Sequence, residues 1–88
     1  MNPTEQIRAL ADSVDGRGQA LGSGSARELV DDWLDNGEPE LALEHLADAI
    51  VEDDVLISPE DFDLFEAIAL ELGNSERVIS AYLQSLVD

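Results

Sequence analysis

The chain contains no lysine and no cysteine, and only four arginines stand against twenty-one acidic residues in a length of 88. The missing cysteines exclude disulfides and thiolate metal sites. No run of about 18 apolar residues is present, so no membrane span is expected. The first ten residues, MNPTEQIRAL, lack a basic segment followed by an apolar one and do not read as a signal peptide, which suggests a cytoplasmic protein. A net charge of −17 is repelled by nucleic acid phosphates and by anionic lipid, so neither is an expected partner. Aromatics are few: one tryptophan, one tyrosine and two phenylalanines.

What is present is enough for one small domain spanning residues 1–88. Hydrophobic residues make up 44% of the chain, which argues against disorder despite the charge. A chain this short leaves little room for a deep cavity, and no cofactor is expected. The charge is uneven. Residues 25–73 hold sixteen of the acids and a single arginine, Arg27. Self-repulsion of that density opposes folding. A basic partner is the simplest compensating use for it.

The punctuation reads as helices. Asn2, Pro3 and Glu5 look like a capped start, and Ile7, Leu10, Ala11 and Val14 follow at helical spacing, so a first helix is expected over about 3–14. Residues 15–24 are rich in glycine and read as a loop. Ser25 and Glu28 have the capping-box spacing, Trp33 and Leu34 continue an apolar face, and Gly37 suits a helix end. Pro39 starts a third helix that frays near Asp53 and Asp54. Val55, Leu56 and Ile57 read as an extended linker that tucks side chains into the core. Ser58 and Pro59, with Glu60 and Asp61 in the first turn, begin a fourth helix that ends at Gly73. A fifth is expected after Asn74 or Ser75, with Val78, Ile79, Tyr82, Leu83 and Leu86 turned inward. The fold class is all-α, a compact bundle of about five short helices with mostly short connections.

No constellation of residues suggests catalysis, and the protein is not expected to be an enzyme. His45, the one histidine, has no serine, cysteine or lysine near it in sequence to activate, and reads as a boundary residue of the third helix. Trp33 and Tyr82 lie on apolar faces and read as core. Two acidic stretches fail as calcium loops. Asp12 to Gly16 places Val14 at a ligand position, and Asp53 to Asp63 places proline and apolar residues there. The glycine-rich segment lacks a phosphate-binding lysine and a preceding strand. An acyl carrier would need its modified serine at the start of a long helix well into the chain, whereas Asp12-Ser13-Val14 comes early and closes the first helix. The pair of helices between Gly37 and Gly73 has the outline of a tetratricopeptide unit without a second copy to stack on.

The acids themselves are the main feature. Glu40, Glu44, Asp48 and Glu52 recur every four residues and form one ridge of the third helix. No basic residue lies three or four positions away, and each like-charged pair costs roughly 0.2–0.5 kcal/mol. The ridge is either a solvated face or a surface presented to a basic partner. Glu52, Asp53 and Asp54 favour the second reading, because three acids at a helix end oppose its dipole. Glu60 and Asp61 flank the same connection, and Asp31, Asp32 and Asp35 add charge from the second helix.

The stretch from Gly37 to Leu46, GEPELALEHL, continued in order by Glu52-Asp53-Asp54, Ile57-Ser58-Pro59-Glu60 and Leu72-Gly73, resembles MafI-type immunity proteins of bacterial polymorphic toxin and contact-dependent inhibition systems. The likeness spans about residues 27–73. It implies a small acidic helical protein that binds and blocks a cognate toxin domain, often a nuclease with a basic groove. On this reading the partner-binding residues are Asp31, Asp35, Glu44, Asp48, Glu52, Asp53, Asp54, Glu60 and Asp61, and the free protein is a monomer, since repulsion opposes self-association. The alternative is a nucleic-acid mimic or adaptor that occupies the basic groove of a housekeeping protein.

Overall fold

Side-chain caps begin three of the four longer helices, and a proline begins the other, close to where the spacing predicts. In the computed structural model, which describes residues 2–18, 21 and 24–88, helix α1 spans Pro3–Gly16. The side-chain oxygen of Asn2 accepts from the Glu5 amide at 2.9 Å. Helix α2, Ala26–Leu34, opens on a reciprocal box. Ser25 Oγ accepts from the Glu28 amide at 3.1 Å, and Glu28 Oε1 accepts from the Ser25 amide at 3.4 Å. Helix α3, Pro39–Glu52, starts on proline without a side-chain cap. Helix α4, Pro59–Leu72, is capped by Ser58, whose Oγ accepts from the Asp61 amide at 3.0 Å. Each cap satisfies an amide that the first turn leaves without a helical partner.

Helix α1 runs two residues beyond the expected 14, into the expected 15–24 loop, of which residues 19, 20, 22 and 23 lie outside the described residues. Within it, Leu21 is buried and its carbonyl accepts from the Gly24 amide at 2.8 Å.

Gly18, at φ 76°, follows α1, and three further helices end on a residue in the left-handed region; two of those are glycines, Gly37 and Gly73, at φ 72° and 77°. The third is Asp54, at φ 51°. At all three the amide of the following residue reaches back five positions: Glu38 to Trp33 and Val55 to Ile50 at 3.0 Å, Asn74 to Ala69 at 3.1 Å. This is the six-to-one bond of a Schellman ending.

The expected fifth helix is two short ones, α5 (Ser75–Val78) and α6 (Ala81–Ser85). Ile79 is extended, and Ser80 Oγ accepts from the Leu83 amide at 3.0 Å, starting the helix afresh. A serine that caps a new turn competes with continuation of the old one. The break changes the register. Val78, Leu83 and Leu86 are buried as expected, but Tyr82 is 50% exposed rather than part of the core.

The architecture is all-α. Helix α3 touches every other helix, and α1 packs on α2, α3 and α4. Ile7, Leu10, Leu43, Leu46, Ile50, Phe65 and Ile68 form the fully buried centre. Alanines at the contacts, among them Ala11, Ala26, Ala42 and Ala69, are completely covered. The linker after α3 alternates as an extended chain must: Val55 and Ile57 point in, and Leu56 is 44% exposed. Ile57 exchanges backbone bonds of 3.0 Å with Leu86 and Asp88, tying the linker to the end of the chain. Among the described residues, no helix is long and apolar enough to cross a membrane.

Candidate functional site

The structure divides the nine acids expected to contact a partner. Asp31 lies between two arginines, with Arg8 Nε at 3.0 Å and Arg27 Nε at 3.1 Å. The hydrogen bond from Arg8 is the main cause that holds its carboxyl below the usual carboxylate range; burial opposes it, and the bond from Arg27 and the charge of both arginines add to the lowering. Asp35 is largely exposed and reaches only Arg8, at 3.5 Å. Glu44 is mostly covered and accepts from Arg77 Nε and Asn74 Nδ2, both at 3.2 Å. Asp61 is 5% exposed, and its carboxylate accepts from Ser13 Oγ at 3.1 Å. Asp31, Glu44 and Asp61 are therefore structural links between helices, not parts of one open acidic face. For Glu44 and Asp61 no neighbour in sequence announces this, because their donors lie in or beside α5 and in α1; Asp31 has one local donor, Arg27 four residues before it, and one from α1.

The other five, Asp48, Glu52, Asp53, Asp54 and Glu60, are exposed. Among the described residues, Asp48, Glu52, Asp53 and Glu60 make no side-chain hydrogen bond or ion pair. Asp54 accepts from the Tyr82 hydroxyl. That bond and the nearby charge push the tyrosine pKa up. Each of the four arginines is engaged elsewhere: Arg8 and Arg27 on Asp31, Arg27 also on Asp12 at 2.8 Å, Arg17 on Asp88, and Arg77 on Glu44.

The unpaired acids converge on the last turn of α3. Glu52 and Asp53 stand where the helix carbonyls already present partial negative charge, and no basic residue occupies that turn. Asp54, next in the chain, adopts the left-handed conformation that glycine fills at the ends of α2 and α4. An aspartate accepts this geometry more readily than most residues, still at some cost. Strain and charge repulsion therefore fall on the same three residues.

Beside this turn lies a cleft of about 360 Å³ between α2, α3 and the residues Leu21, Gly24 and Ser25. Leu21, Leu29 and Ala49, buried or half-buried, are its apolar lining, and the exposed acids Glu28 and Asp32 of α2 and Glu52 and Asp53 at the end of α3 are its acidic lining. Glu28 and Asp32 were not among the expected contacts. Their four-residue spacing on α2 is a readable signal for a shared face, but which helix that face meets is not.

His45 stacks flat on Trp33, with ring centroids 4.4 Å apart and planes 5° apart, as a packing pair between α2 and α3. Among the described residues, no three metal-ligating side chains stand close enough to hold one ion. Comparison of the chain with protein-family models, curated proteins and solved structures gives no match. The likeness to MafI-type immunity proteins rests on the sequence pattern between residues 27 and 73 alone.

Proposed function

We propose that this protein is an immunity protein of the cytoplasm, which binds and neutralises a basic toxin domain, a nuclease by preference of charge, and performs no chemistry itself. The contact surface is the last turn of α3 with its exposed neighbours, Asp48 and Glu60. One observation carries the reading. The four arginines pair with acids elsewhere in the fold, while Glu52, Asp53 and Asp54 are left exposed at a helix end where dipole, mutual repulsion and backbone conformation all disfavour them. A basic partner relieves the electrostatic part of that cost. Charge of this density steers encounter and raises the association rate, while affinity needs apolar contact as well.

The test is co-purification with the basic product of the adjacent gene, followed by assay of that product's toxicity or nuclease activity. Full inhibition at equimolar ratio, with an association rate that falls steeply with salt, is expected. A neighbouring product that is neither bound nor inhibited rejects the reading. Capture of assorted nucleic-acid-binding proteins that wash off with salt favours the nucleic-acid mimic instead.

A further inference from the structure

We propose that the cleft beside the last turn of α3 is a receptor for a single arginine side chain of the protein partner. The inference rests on the reading of the partner as a basic protein and names what that partner inserts. The cleft combines two chemistries that a solvated acidic face does not. Its covered floor is apolar, made by Leu21, Leu29 and Ala49, and its exposed lining is acidic, with Glu28 and Asp32 supplied by α2 and Glu52 and Asp53 by the end of α3. The four carboxylates are exposed but do not converge on a point, for no three acids among the described residues are placed to hold a metal ion. A compact divalent cation is therefore a poor match. A long cation with an apolar stem is a good one: the stem covers the floor, and the charged head stays at the rim. Arginine fits better than lysine, because its planar head presents donors on two edges and can bridge carboxylates from α2 and the end of α3. The site also supplies the desolvated anchor that steering charge alone does not provide.

The test uses the full-length, isotope-labelled protein and three capped tripeptides, glycine-X-glycine, with X arginine, lysine or the neutral isostere citrulline. Chemical shifts report where each binds. The arginine peptide should perturb residues of α2 from Glu28 to Asp32 and the last turn of α3, more strongly than lysine, with citrulline silent. Two variants attack the site differently: Ala49→Met fills the floor and leaves the charge, whereas Glu52→Gln with Asp53→Asn leaves the shape and removes the charge. Each should weaken the arginine peptide about tenfold or more, while Glu71→Gln on α4 should not. Circular dichroism of each variant verifies the fold.

Shifts spread evenly over all exposed acids, equal binding of lysine and arginine, or tighter binding of spermidine than of the peptide would overturn the proposal. The cleft and the immunity function fail separately. A toxin domain held equally by the native protein and by Ala49→Met overturns the cleft and leaves the function standing. An arginine peptide seated in the cleft, with the adjacent gene's product ignored, supports the cleft and removes the function.

Discussion

Along the seam between α1 and α2, acids meet donors. Asp12 and Asp31 hold Arg27, Asp31 also holds Arg8, and Asp15 accepts from the amides of Ala26 and Arg27 at 2.7 and 3.0 Å. Asp15 stands in the last turn of α1, where a negative charge is unfavourable, but its carboxylate sits on the first amides of α2, where the dipole welcomes it. At the end of α3 the same residue type meets nothing comparable. Glu52 and Asp53 have no donor among the described residues, and Asp54 has only the tyrosine hydroxyl. The difference teaches that net charge says little about what an acid does here. The seam uses its acids to join two helices, and the α3 turn exposes its acids at a cost to the fold.

The comparison can be broken at several points. The largest effect is expected at Asp15. Asp15→Ala leaves the Ser25–Glu28 box but removes the acceptor of the first two amides of α2, and should destabilise by about 1–2 kcal/mol in urea unfolding. Asp31→Ala should cost about 1 kcal/mol, the charge-assisted bonds being discounted because the site is partly exposed. Its pH dependence has a definite sign. Asp31 is held below its ordinary range in the fold, so its contribution is complete above the unfolded carboxylate value of about 3.9 and is lost as pH falls through the lower folded value. The melting temperatures of the native protein and of Asp31→Ala should therefore differ at pH 6 and converge below about pH 4.

The α3 turn should respond in the opposite direction. Glu52→Gln with Asp53→Asn is expected to stabilise the protein by about 0.3–1 kcal/mol at low salt, with the gain shrinking in 1 M salt. A loss as large as that of Asp31→Ala would show that these acids are structural after all. The smallest effects belong to the backbone at Asp54. Asp54→Gly should raise stability by about 0.5 kcal/mol, and Asp54→Ala should lower it by about 1 kcal/mol, since alanine suits the left-handed region worse. Equal melting temperatures for these two variants would mean that the φ of 51° is not felt as strain. For the same reason Asp54→Asn, not alanine, is the clean probe of that charge in a partner assay.

Much of the fold was legible because its signals are local. A cap joins residues three apart, so Asn2, Ser25 and Ser58 announce α1, α2 and α4 without reference to the rest of the chain. Gly37 and Gly73 announce two endings in the same way. The last helix was misjudged because Ser80 serves equally as an interior residue or as a new cap, and only packing of Val78 and Leu83 on either side of it decides. The candidate site was half legible. Glu52 to Asp54 stood out through helix-dipole logic, while Glu44 and Asp61 looked like surface acids and are covered, Glu44 by α5 and Asp61 in contact with α1.

The sequence by itself determined the all-α class, the starts of the four longer helices and the excess of acid over base, since each depends on neighbours within a turn or on composition. Arg27 meets Asp31 within one helix turn, but tertiary structure alone decided which of twenty-one acids receive the other three arginines. The pairs Arg8–Asp31, Arg17–Asp88 and Arg77–Glu44 lie 23, 71 and 33 positions apart, separations at which sequence spacing carries no geometric information. Only the contact of one helix face with another selects the partner and leaves the acids around the α3 turn and its cleft without one.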